Sequence, residues 1–366
     1  MNKVIQVLIV SIIFFSCTKN NPSPSGTSTL YFPPNSGTWQ TVTPASLGWN
    51  VTALTTLLTY LDTTNTRAFI VLKDGKIVIE HYAGTQLSST NSFTSTSNWY
   101  WASAGKTLTA AIVGIANANG KINLDAKTSD YLGAGWTSET LDQENKITVR
   151  NHLTMTTGLD DYNGGATGDN DCSTPPCLIY KADAGTRWAY HTGAYTVLDK
   201  VIQAGTGQNT NTYGSAQLFS KIGMDGSFIM SGENNLFYST GRSMARFGLL
   251  LLSKGTWNGT AIIPESYFEL MITTSQNLNL SYGYLTWLNG KASYMSPGPQ
   301  IVTPNSLTPN APADMFAAMG KNGQLINVVP SKNIVVIRLG DAPDNNLVPL
   351  TYQNVLWNKL NAVITN

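Results

Sequence analysis

Trp99-Tyr100-Trp101-Ala102-Ser103-Ala104-Gly105-Lys106-Thr107-Leu108-Thr109-Ala110-Ala111-Ile112-Val113-Gly114-Ile115-Ala116 is the stretch on which the reading of this chain turns. From Ser103 onward it is apolar enough for a buried helix, and Asn119-Gly120 supplies the stop. Ser103 and Lys106 stand three residues apart and so share a helix face. A serine hydroxyl is a poor nucleophile until a neighbouring base takes its proton. A lysine held beside it and desolvated binds its own proton less tightly and can be that base. The helix N-terminus adds unpaired N–H groups and a positive dipole end, both suited to an oxyanion. The competing reading is an ordinary core helix with an N-cap serine and a surface lysine. Context has to decide, because Ser16 and Lys19 repeat the same spacing in a different setting.

The chain has 366 residues, enough for one large domain or two modest ones. Hydrophobic residues make up 42 %, so a full core can form, while charged residues are only 12 %, about half the usual share. Thr, Asn and Ser supply the polar surface instead. A formal net charge of +1 and the lack of a basic stripe argue against a nucleic-acid partner.

Met1-Asn2-Lys3 followed by the apolar run Val4 to Phe15 reads as a signal peptide, too short to span a bilayer. It ends at Phe14-Phe15-Ser16-Cys17. A small residue before a cysteine resembles a lipoprotein signal, in which Cys17 would be acylated and become the membrane anchor. Residues 1–17 are therefore expected to be leader, and 18–45, rich in Ser, Pro, Thr, Asn and Gly, a flexible tether. The folded domain is expected over 46–366. This places the protein outside the cytoplasm, as a periplasmic or cell-surface lipoprotein. With Cys17 set aside, Cys172 and Cys177 remain, and an oxidising compartment makes them a small-loop disulfide. No metal site is expected, since His81, His152 and His191 are scattered. Asp160, Asp161, Asp169 and Asp171 do not have the spacing of a calcium loop.

Val51 to Leu61 reads as a helix. Phe69–Leu72 and Ile77–Ile79 flank Asp74-Gly75 as a hairpin. Helical patterns follow over Tyr195–Ile202 and Gly241–Leu252. Tyr282–Leu288, Met315–Met319, Leu325–Val329 and Ile334–Leu339 read as strands, and Val348–Ile364 as a closing helix. The predicted fold class is α+β: an antiparallel sheet built from both chain ends, flanked by helices, with a mostly helical subdomain inserted at about 105–260.

Ser-x-x-Lys is the nucleophile motif of penicillin-recognising serine enzymes. From roughly Gly48 to Asn366 the chain resembles the class C β-lactamase-like superfamily. That superfamily includes penicillin-binding carboxypeptidases, family VIII esterases and aminohexanoate-oligomer hydrolases. Its second element, Tyr-x-Asn after an Ala/Pro-Gly turn, is matched by Ala184-Gly185 and then Tyr190-His191-Thr192. Tyr190 would be a tyrosinate with a lowered pKa beside Lys106, relaying protons to and from Ser103. Thr192 departs from the usual asparagine at a substrate-positioning place. The third element is a Lys/His-x-Gly triplet on a strand. Lys321-Asn322-Gly323 could supply it, but Asn-Gly between apolar runs is a strong hairpin signal. That register puts Ala318-Met319-Gly320 at the triplet, with Gly320 beside the substrate. The backbone N–H groups of Ser103 and Lys321 then form the oxyanion hole. Ala318 cannot bind a substrate carboxylate as a triplet lysine does.

The resemblance thus implies a serine hydrolase acting on a small ester or amide through an acyl-enzyme on Ser103. No cofactor or metal is implied. A D-Ala-D-Ala carboxypeptidase or β-lactamase is the enzymatic alternative. A non-catalytic lipoprotein binding peptidoglycan or a glycan is the alternative from another class. No Gly-x-Ser-x-Gly elbow occurs.

Overall fold

The computed structural model describes residues 30–161 and 170–365. The signal peptide, Cys17 and the first part of the expected tether lie outside the described residues. In chain order the strands are β1 (Thr66–Lys73), β2 (Lys76–Tyr82), β3 (Asn98–Tyr100), β4 (Ser227–Ser231), β5 (Asn234–Thr240), β6 (Thr256–Trp257), β7 (Thr260–Ala261), β8 (Trp287–Leu288), β9 (Ser293–Met295), β10 (Val302–Pro304), β11 (Phe316–Gly320), β12 (Gln324–Val329) and β13 (Ile334–Gly340). Six of them form one antiparallel sheet in the order β2-β1-β13-β12-β11-β8. Both chain ends therefore meet in it, β1 pairing with β13 in the register Ile70↔Ile337. Asp74 and Gly75 have φ of 51° and 81°, the left-handed pair that a two-residue hairpin turn requires.

Each face of the sheet is covered by helices. The Gly241–Leu252 helix lies across β1, β12 and β13. It comes so close that a Cβ at Gly248 would sit 2.5 Å from Val335 Cγ1. Val51–Thr63 packs on Leu350–Val363 and on β1. Asn50 caps the first of these by accepting from the Ala53 N–H at 3.0 Å. Leu57 and Leu61 beneath it are fully buried, each contributing about 1.5–3 kcal/mol.

Three local expectations change. Residues 30–45 are not a loose tether, despite their composition. Trp39 is buried and donates from Nε1 to Gly75 O at 2.8 Å. Tyr31 and Val42 donate backbone N–H groups to Asp74 O and Ile77 O at 3.0 and 2.9 Å. Arg246 holds the Pro33 and Pro34 carbonyls. Aromatic residues scattered through a polar stretch anchor it. Second, the helical middle contains a three-stranded sheet, β3-β5-β4, with Gly232 at the β4–β5 turn at φ 63°. Third, only Trp287–Leu288 of the expected 282–288 strand joins the main sheet. The rest doubles back, with Gly283 N–H bonded to Thr286 O and Leu285 N–H to Leu153 O.

Candidate active site

Ser103 sits in a short 3-10 turn, Ala102–Ala104, that runs into the Gly105–Ala118 helix. The residue before it, Ala102, is left-handed at φ 47°, a conformation costing roughly 1–2 kcal/mol for a residue with a Cβ. Fully buried Trp101 holds that bend. Its backbone N–H reaches Phe237 O and its indole reaches Ser239 Oγ, both at 2.8 Å. Ser103 lies inside the turn, and the cap positions are Trp101 and Ala104, so the N-cap reading fails. Its hydroxyl accepts instead from Lys106 Nζ at 3.1 Å.

Lys106 is no surface lysine: it is 2 % exposed. Its Nζ lies over the rings of Tyr195 and Tyr190, 4.5 and 5.2 Å from their centroids. Burial lowers its pKa to about 7, and the negative charge of Asp171 partly opposes that shift. A substantial fraction is therefore the neutral amine near neutral pH.

Tyr190 is partly buried, its ring stacked on Trp287 at 5.9 Å between centroids. The expected tyrosinate is overturned. Burial pushes the Tyr190 hydroxyl well above its ordinary pKa, with a hydrogen bond to Ser103 opposing and Asp171 adding to the rise. Desolvation is the largest influence on this hydroxyl. Burial thus draws Lys106 toward its neutral amine and Tyr190 toward its neutral phenol.

The hairpin lies as the Asn-Gly reading requires. Gly320 pairs with Gln324, and Lys321-Asn322-Gly323 form the turn. Asn322 and Gly323 are both left-handed, at φ 63° and 74°. Gly320 presses on the nucleophile segment. A Cβ there would lie 2.4 Å from Trp101 O and 3.0 Å from both Ser103 N and Ala104 N. The backbones of 320–321 and 103 are thus neighbours. Ala318 is buried and offers no charge.

Thr192 opens the Thr192–Thr206 helix. Its N–H donates to Asn170 Oδ1 at 3.1 Å, and Gly193 N–H to Asn170 O at 2.8 Å. Cys172 and Cys177 are disulfide-bonded, with Cα atoms 5.9 Å apart. Of the loop aspartates, Asp161 pairs with Arg187 and Asp160 with Lys181, while Asp169 lies outside the described residues. A cleft of about 710 Å³ opens over these groups, lined by Ser103, Tyr190, Thr192, Lys321, Asp171 and Trp287 among others. Ser103, Lys106, Tyr190, Thr192, Gly320 and Lys321 thus gather in one region, while Cys17 lies outside the described residues. Asn170 and Asp171 were missed as site residues. Their only signal was a place in a polar loop, and their role depends on contacts with a distant helix.

The fold and this constellation define a class. A family model described as Beta-lactamase matches residues 60–346. The chain belongs to the beta-lactamase family. It is 24 % identical over 294 residues to an uncharacterized protein of Alkalihalophilus pseudofirmus, covering 73 % of this chain and 81 % of that one. Among solved structures it is similar to a Bacillus anthracis protein provisionally assigned as a 6-aminohexanoate-dimer hydrolase. The TM-score is 0.63 and identity 18 %, covering 92 % of this chain and 88 % of the other. It is also similar to a family VIII carboxylesterase, with TM-score 0.63, identity 15 % and coverages of 84 % and 96 %. A penicillin-binding protein from Bacillus halodurans follows, with TM-score 0.57, identity 16 % and coverages of 78 % and 94 %.

Proposed function

We propose that the protein is a serine hydrolase that cleaves a small ester or amide through an acyl-enzyme on Ser103. One observation carries this reading: a buried lysine with its pKa lowered to about 7, within 3.1 Å of a serine hydroxyl in a cleft. Lys106 Nζ takes the hydroxyl proton as Ser103 Oγ bonds to the carbonyl carbon. The carbonyl electron pair moves onto oxygen, facing the Ser103 and Lys321 N–H groups. Collapse breaks the bond to the alcohol or amine, which takes a proton from the Tyr190–Lys106 pair. Water repeats the sequence on the acyl-enzyme, releasing the acid and restoring Ser103. Ala318 leaves the β11 edge without a cation for a substrate carboxylate. That favours esters or simple amides over D-Ala-D-Ala peptides or penicillins. Thr192 and Gly320 would bound the bound acyl group. Export and anchoring through an acylated Cys17 belong to the same reading, and the 172–177 disulfide supports an oxidising compartment.

Intact-mass analysis of the domain after fluorophosphonate or penicillin exposure, with p-nitrophenyl acetate and butyrate turnover, tests it. We expect a fluorophosphonate adduct and ester turnover that both vanish in Ser103→Ala. A stable penicilloyl adduct moves the assignment to a carboxypeptidase. No adduct and no turnover leave a binding lipoprotein. Because neutral Lys106 is the active form, acylation should rise with pH through about 7.

A further inference from the structure

Arg338 is fully buried on β13, a strand whose other members are aliphatic or glycine. Such a guanidinium is expensive to desolvate unless its donors are satisfied. The nearby Asp341 carboxylate is taken by Arg67 at 2.6 Å, and no carboxylate forms a salt bridge with Arg338 among the described residues. Its donors go to oxygen atoms of the main chain instead. Nη1 donates to Asn322 O at 2.5 Å and Gly323 O at 3.2 Å. Nη2 donates to Thr64 O at 2.7 Å and Asp341 O at 2.9 Å. Nε reaches Thr66 Oγ1 at 3.3 Å. One planar group thus ties the β11–β12 turn to the start of β1 and the end of β13, with a fork geometry that lysine lacks. From the cleft side, Asn322 Nδ2 donates to Tyr100 OH at 2.7 Å.

We propose that Arg338 is a positioning residue for the oxyanion hole, fixing the Lys321–Gly323 turn so that the Lys321 N–H faces the Ser103 N–H. This rests on the serine-hydrolase reading above. Asn322 and Gly323 of this turn are left-handed with their carbonyls accepting from Arg338, and a donor displaced by about 1 Å costs on the order of 100-fold in rate.

Arg338→Lys tests it, with fluorophosphonate inactivation rate, kcat and KM for p-nitrophenyl butyrate, pH profile and thermal melting measured together. The expected result, well below the melting temperature, is a fall of roughly 10- to 100-fold in kcat and in inactivation rate. KM should stay within about twofold and the kinetic pKa near 7, since Lys106 is untouched. A general structural weakening would lower the melting temperature without that kcat-specific loss. Folded Arg338→Lys with wild-type kcat, or a loss confined to KM, overturns the proposal. If Arg338→Lys does not fold, Arg338→Gln takes its place, a planar amide that cannot hold all of these carbonyls at once. A kcat-specific loss there supports the role, and wild-type kcat overturns it. Wild-type protein that fluorophosphonate does not label at Ser103 overturns the hydrolase reading together with this one. A labelled wild type beside an unaffected Arg338→Lys overturns this one alone.

Discussion

Two of the segments that line the cleft around Ser103 are built in opposite ways. The β11–β12 turn is held by ladder pairing on both sides, by the buried Arg338 and by Gly320 seated on the nucleophile backbone. The Asn170–Cys177 segment has no ladder. It is held by Asn170 across the start of the Thr192–Thr206 helix, by a six-residue disulfide ring, and by Ser173 N–H on Glu233 Oε2 at 2.6 Å. The turn side places backbone donors, which must not move. The loop side places side-chain charge, and Asp171 raises the Lys106 pKa against burial. One side is thus fixed by backbone pairing and close packing, the other by side-chain bonds and a covalent bridge.

The sharpest way to break that contrast is Gly320→Ala. The new methyl would meet main-chain atoms at 2.4 and 3.0 Å, which no rotamer change relieves. We expect a loss of about 1–3 kcal/mol in stability and on the order of 100-fold in kcat, read by melting and ester turnover. An active, stable variant would mean that the turn side yields as readily as the loop.

Asp171→Asn probes the other side. Asp171 raises the Lys106 pKa against burial, so neutralising it should lower that pKa further. The acid limb of the pH–rate profile then moves below pH 7, with little loss of kcat at pH 8. An unmoved limb would remove Asp171 from the electrostatics of the site.

The smallest effect is expected from replacing Cys172 and Cys177 together by alanine. A ring of this size constrains the unfolded chain by about 2 kcal/mol at most. Melting should fall modestly, and kcat should change only a few-fold, because Asn170 still spans Thr192 and Gly193. Complete loss of activity would show that the loop is as exacting as the turn.

The same contrast explains what was legible in the sequence. Asp74-Gly75 and Asn322-Gly323 announce hairpins because their conformation is a local property of those residue pairs. The Ser103 helix announces itself through its apolar run. These signals sufficed for the antiparallel sheet and for the contact between Ser103 and Lys106. Asn170, Arg338 and Trp39 act through partners tens to hundreds of residues away, and no local pattern marks them. The tyrosinate at Tyr190 failed for a related reason. Proximity to a lysine was readable, but the desolvation that raises this hydroxyl's pKa is a property of the packed site.

The segment from Leu30 to Val42 bears on how such a domain could be moored. It is fastened to the β1–β2 hairpin through Asp74, Gly75 and Ile77, and bridges alongside β2 at Thr41, at one margin of the sheet. Arg246 grips it a second time at Pro33 and Pro34. The margin carrying β11 lies four inter-strand spacings away, roughly 19 Å. A pull applied upstream of Leu30 would thus be absorbed by a buried indole and several main-chain bonds before any of it reached the cleft.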